Sequence, residues 1–145
     1  TQSDGARGRI WVLGVEHLRV YDAVSNKLVR RVILPGWSIA RYKCPPDLIL
    51  DASGSAIISN NVVPTLWRVD ARSFAVTERA IALEGKEGWD IGFGAIALAG
   101  NGSIYALTSN GMSLWKVDSG VASASLLKTY LPPAQACTLP KLARG

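Results

Sequence analysis

Leu66-Trp67-Arg68-Val69-Asp70 decides the reading of this chain. The same plan returns as Leu114-Trp115-Lys116-Val117-Asp118 and, in weaker form, as Leu18-Arg19-Val20-Tyr21-Asp22. Leu18, Leu66 and Leu114 stand 48 residues apart, and so do Asp22, Asp70 and Asp118. A fixed period of roughly 20–50 residues marks a solenoid, a propeller or an array.

Around each copy the surroundings also repeat. In the first unit Gly8 to Leu13 and Leu18 to Tyr21 form a hairpin, Asp22 to Asn26 a turn, and Lys27 to Leu34 a further strand that Pro35-Gly36 ends. The second unit opens with the short apolar strand Leu48-Ile49-Leu50 and the turn Asp51-Ala52-Ser53-Gly54. The hairpin Ser55 to Ser59 and Leu66 to Val69 follows, then an outer strand from Phe74 to Leu83. The third unit repeats this with Ala95 to Leu98, Ile104 to Leu107, Leu114 to Val117 and Ala124 to Leu131. Its hairpin turns at Asn110-Gly111, a strong short-range hairpin signal. Each unit is a short inner strand, a two-stranded hairpin, an aspartate turn and a longer outer strand.

The expected fold is therefore all-β, a β-propeller of four-stranded antiparallel blades. A single propeller segment spans 1–145, with blade one over about 8–36, blade two over about 47–84 and blade three over about 94–131. Blades pack on neighbours with both faces, so their strands read as apolar throughout while polar residues collect in the connections. No 11-residue window keeps a helical apolar period free of Gly or Pro.

Composition fits this reading. Of the 145 residues 48% are hydrophobic and 19% charged, too apolar for disorder, and 14 glycines and seven prolines supply turns. The net charge of +5 reads as a solvated basic surface, because no stretch interleaves Lys and Arg with aromatics as a nucleic-acid groove would. The uncharged run from Ile91 to Trp115 is broken by Gly92, Gly94, Gly100 to Gly102 and Asn110-Gly111, so it is not a membrane span. A chain that starts at Thr1 without Met looks like a mature or trimmed product, which fits export to the periplasm or the medium. Cys44 and Cys137 both lie in Pro-rich irregular stretches, where a disulfide is expected over two buried thiols.

The order of small residue and Gly, strand, hairpin, Leu-Trp-basic-Val-Asp and strand, over about residues 8 to 131, resembles the secreted bacterial propellers of the YVTN and NHL type. The heavy chains of quinoprotein amine dehydrogenases look like members of the same superfamily. The resemblance implies a fold, since Leu-Trp-Arg/Lys-Val-Asp specifies a blade and no chemistry. Blade one departs from it, with Arg19 where Trp67 and Trp115 stand, and with a hairpin about two residues shorter.

Three blades do not close a ring, which usually takes about four to eight. Nothing apolar precedes Gly8, so blade one is expected to lack its own inner strand, and the tail 132–145 falls where a fourth inner strand would begin. Either the chain joins a companion propeller segment, or two copies form a homo-oligomer head to tail, each tail completing the first blade of the other.

In propellers of this kind ligands enter at the mouth of the central channel, among loops joining each outer strand to the next inner strand. Here those loops carry Gly36-Trp37-Ser38-Ile39 and Gly88-Trp89-Asp90-Ile91. Trp37, Arg41, Tyr42, Trp89 and Asp90 are the candidate ligand-binding residues, suited to stacking a ring or cradling an anion, unless each Trp simply caps the space between two blades. Asp22, Asp70 and Asp118 are expected to accept turn N–H groups. His17 reads as an edge residue, and the Asn101-Gly102-Ser103 sequon as a turn.

No catalytic residue is assigned, for one His without a Gly-x-Ser-x-Gly elbow gives no basis for Ser-His-Asp chemistry. No cofactor is expected, and no metal: of the acids and amides Asp47, Asp90 and Asn101 that a lactonase-like propeller would use, inner strands supply only Asp47 and Asp51. The sequence thus reads as a non-enzymatic binding scaffold with a ligand at the mouth loops. The alternative is one part of a larger propeller enzyme of the quinoprotein or metal-dependent lactonase sort.

Overall fold

The computed structural model describes residues 2–14, 17–35, 46–81, 92–100, 102–108, 113–117 and 124–129. They form twelve strands in three four-stranded antiparallel sheets, each built in chain order from its inner to its outer edge. The first holds β1 (Gln2–Asp4), β2 (Arg9–Leu13), β3 (Leu18–Asp22) and β4 (Leu28–Val32). The second holds β5 (Leu48–Leu50), β6 (Ala56–Ser59), β7 (Thr65–Val69) and β8 (Val76–Ala80). The third holds β9 (Phe93–Leu98), β10 (Ile104–Thr108), β11 (Ser113–Val117) and β12 (Ala124–Thr129). The inner strands β1, β5 and β9 lie against one another in that order, which makes the sheets successive blades of a β-propeller. Among the described residues no helix is long and apolar enough to cross a membrane.

The expected open inner position of blade one is filled, which corrects the sequence reading. Gln2, Ser3 and Asp4 pair with Trp11, Ile10 and Arg9, so this blade starts at residue 2 and leaves no gap for the tail of another copy. The strand escapes an apolar pattern because its pairing is carried by backbone groups. Its one buried side chain, Asp4, accepts from the Arg7 backbone N–H and guanidinium, both at 3.3 Å.

Period-2 alternation sends neighbouring residues of one strand to opposite faces, and in blade two both faces are apolar. Leu48, Ala56, Ile58, Trp67 and Val69 pack with Trp11, Leu18, Val20 and Val32 of blade one. Ile57 and Leu66 pack on the other side with Phe93, Ile96, Ile104, Ala106, Trp115 and Val117 of blade three. The repeated tryptophans thus plug successive gaps, each facing the preceding blade, with Trp67 and Trp115 0% and 1% exposed.

The aspartate turns have a common build. Asp22 Oδ1 accepts from the N–H groups of Val24 (3.0 Å) and Ser25 (2.8 Å), and Asp70 Oδ2 from those of Arg72 (3.0 Å) and Ser73 (2.9 Å). The residue four places on is left-handed in both, Asn26 at φ 60° and Phe74 at φ 59°. Phe74 was expected at the head of an outer strand and is instead a turn residue. Left-handed backbone costs a side-chain-bearing residue about 1–2 kcal/mol. Contacts across the blade gap offset it: the ring lies 6.0 Å from that of Trp11, with the guanidinium carbons of Arg9 and Arg30 at 5.0 and 5.3 Å from its centre. Such ring and cation contacts are worth about 0.5–1.5 kcal/mol each. Arg9 also donates to the Ala71 carbonyl oxygen, and a Cβ on Gly54 (φ +84°) would stand 2.6 Å from the Arg7 guanidinium carbon. The turn end of the first gap is closed by arginines.

Replacing Trp67 or Trp115 by Ala should cost about 3–5 kcal/mol, as for other large aromatic cavities. Urea titration followed by circular dichroism measures it, and a loss below about 1 kcal/mol would mean that the tryptophans do not hold the gaps.

Candidate functional site at the loop end of the blades

Strand direction separates two ends. The inner turns, Asp22 and Asp70 lie at one; the connections from β4 to β5 and from β8 to β9 open at the other, beside the hairpin turn Asn60–Pro64. The residues expected to bind ligand, Trp37, Arg41 and Tyr42 in one connection and Trp89 and Asp90 in the next, lie outside the described residues, as do Cys44, Cys137, Asn101 and Asp118. What the structure describes is how these two connections are anchored.

Each anchor is a hydrogen bond to blade two, either in its strands or at its hairpin turn. Where the first connection leaves, the Trp67 indole N–H donates to the Pro35 carbonyl oxygen at 3.0 Å and to Glu78 Oε2 at 3.2 Å. Where it returns, the Asp47 N–H donates to Ser59 Oγ at 2.8 Å, and the Ser59 N–H to the Asp47 carbonyl oxygen at 3.0 Å. The second connection leaves after Ile81, whose N–H donates to the Pro64 carbonyl oxygen at 2.7 Å. It returns at Gly92 and Phe93, and the Phe93 N–H donates to the Asn60 carbonyl oxygen at 2.7 Å.

Asp47, an acid at the start of an inner strand, was a candidate metal ligand. Its Oδ1 accepts the Leu48 N–H at 2.8 Å, and its Oδ2 accepts the Ile96 N–H of blade three at 3.1 Å. Ser59 Oγ donates to the Gly94 carbonyl oxygen at 2.8 Å, so Asp47 and Ser59 together tie blade two to blade three. Asn60 Oδ1 accepts from Val62 (2.8 Å) and Val63 (3.3 Å) and shapes the hairpin turn. Gly92 is held so tightly that a Cβ there would sit 2.2 Å from the Asn60 carbonyl oxygen. Among the described residues no three His, Cys, Asp or Glu side chains converge as metal ligands would.

Sequence reasoning did not find Ser59, Asn60 and Gly92 as clamps. One signal was present: Ser59 closes the buried run Ala56-Ile57-Ile58, where a hydroxyl needs a partner. His17 accepts at Nε2 from the Arg19 Nε at 2.9 Å.

At the opposite end the carboxylates titrate low. The Ser25 and Val24 N–H groups hold Asp22 below its usual 3.8, and those of Ser73 and Arg72 do the same for Asp70. For Asp51 burial pulls upward, but the Ser53 hydroxyl, Arg68 (2.9 Å) and the Ser55 N–H outweigh it.

Two solved structures share this arrangement, both of the extracellular domain of BT4673 from B. thetaiotaomicron, described once as a hybrid two-component system and once as a one-component system. Each aligns with a TM-score of 0.60 over 85% of this chain at 13% identity. The likeness is one of fold. This chain spans 16% of the length of that one. No family model matches the sequence, and no curated protein matches it either.

Two outcomes follow for stability. Asp47→Ala strands the Leu48 and Ile96 N–H groups and should cost about 2 kcal/mol or more, with Asp47→Asn between it and the parent; equal midpoints in urea would remove the clamp. The depressed carboxylates stabilise the fold fully above their unfolded value and lose that contribution as pH falls through their lower folded values. The urea midpoint should therefore drop between about pH 5 and about pH 3, and the Asp22→Asn, Asp51→Asn, Asp70→Asn triple variant should drop less.

Proposed function

We propose that the chain is a non-catalytic propeller module of the YVTN and NHL type, working outside the cytoplasm and binding a ligand or partner through the connections at 36–45 and 82–91. The observation that supports it is the fixing of both connections at both of their ends: Pro35 and Ile81 where they leave, Asp47 and Phe93 where they return. Variable loops on a rigid frame are the usual construction of a recognition surface, because the frame supplies the order that would otherwise be lost on binding. Of the polar side chains that the blades bring to this end, Asp47, Ser59 and Asn60 serve the frame. Recognition then falls to Trp37, Arg41, Tyr42, Trp89 and Asp90, whose aromatic and charged groups suit a ring or an anion. An extracytoplasmic setting is supported by the likeness to an extracellular domain.

A thermal-shift screen of sugars, aromatic acids and short acidic peptides should give a ligand that raises the unfolding midpoint of the parent and not of Trp37→Ala or Trp89→Ala, with unliganded midpoints unchanged. Collapse of both variants would make these tryptophans packing residues. A rise of several degrees with Ca²⁺ alone would favour the metal-dependent enzyme.

A further inference from the structure

The outer side of blade one is the side on which blades two and three place their plugging tryptophans, and it is built differently. In register with Trp67 and Trp115 stands Arg19, with Val12 opposite it on β2 and Arg31 opposite it on β4. Ile10, Tyr21 and Leu28 form the adjacent row of the same face. Ile10, Val12 and Tyr21 are half-buried and Leu28 is 46% exposed, whereas the equivalent face of blade two is sealed by Ile58, Trp67 and Val69, each 0% exposed. Arg19 and Arg31 are both exposed. Like charges directly opposite one another on adjacent strands repel, and among the described residues neither has a carboxylate within ion-pair distance.

We propose that this face docks a further propeller blade whose facing side carries carboxylates opposite Arg19 and Arg31. Ile10, Val12 and Tyr21 supply an apolar floor for a sheet packed about 10 Å away, and the paired guanidiniums set the charge that its partner must bring. The observations disfavour a second copy of this chain as the occupant. The free side of blade three presents Lys116 and Tyr105, which share one face, and it would bring a third cation to the two arginines. Leu107 and Leu114 on that side are already 2% and 9% exposed. Blade one has its own inner strand, so no tail from another copy is needed to finish it. Companion blades also suit a segment that matches 16% of a longer extracellular chain. This surface is the free sheet face of blade one, with the Arg19 and Arg31 row next to the loop end and the Tyr21 and Leu28 row next to the turn end, and its docking rests on the sheet face and not on what the loops bind.

The probe is the chain itself with Arg19→Glu and Arg31→Glu, which carries an acidic version of the same face. In sedimentation velocity the parent alone and the variant alone should each run as one non-associating species, while an equimolar mixture should associate at least about tenfold more tightly than either does with itself. Raising the salt should weaken the mixture. Arg31→Glu alone, a change at one exposed strand position, should give the same direction if the double variant folds poorly. An Arg19→Gln, Arg31→Gln variant mixed with the parent should not associate. Failure of the charge-reversed mixture to associate would overturn the proposal. So would a parent dimer that the double variant abolishes, since the occupant would then be a second copy.

Discussion

A four-stranded sheet that is apolar on both faces cannot stay dissolved by itself, and this constraint governs the rest of the molecule. Blade two buries Trp67 on one side and Leu66 on the other, one residue apart on the same strand. Nothing short of a neighbour on each side satisfies both. Stacking is therefore the condition under which each sheet exists at all. The Trp in the repeat is the device that fills the space left when twisted sheets are laid around an axis.

Apolar packing alone would let the sheets slide, because it has no direction. Polar contacts at the two ends supply the register. At the turn end the contacts are cationic, with Arg9 on the Ala71 carbonyl and around Phe74, and Arg7 lying over Gly54. At the loop end they are backbone acceptors and donors, Asp47 to Ile96, Ser59 to Gly94 and Asn60 to Phe93. Each of these acceptors is used, as low-dielectric surroundings demand.

Eleven of the twelve strands were legible because they obey apolar alternation and turn chemistry within a repeated frame. The twelfth, β1, was not, since Gln2, Ser3 and Asp4 contribute backbone pairing and no apolar side chain. Phe74 misled in the other direction: its type suggests a strand, and only the opposing Trp11 and two arginines explain a bulky residue in a left-handed turn. Asp47 was recognised as an acid at the start of an inner strand, but its partner Ile96 is 49 residues away, a relation no local pattern carries. The exchange of Trp for Arg19 was visible as a departure from the repeat. Its meaning needed the register that sets Arg31 beside it.

The two ends also differ in how they tolerate a change of length. Between Asp22 and Gly54, and again between Asp70 and Gly102, the chain runs 32 residues, and the Asp-based turn build is the same in blades one and two. The hairpin from β2 to β3 closes between Leu13 and Leu18, whereas that from β6 to β7 closes between Ser59 and Leu66 and is two residues longer. That difference is absorbed wholly at the loop end, with no slip in the cross-strand pairing beneath it. A change of length there alters the spacing of the repeat, 48 residues from Leu18 to Leu66 but 46 from Leu13 to Ser59, and leaves the strand pairing as it is. The surface on that side is free to vary in a way that the opposite one is not.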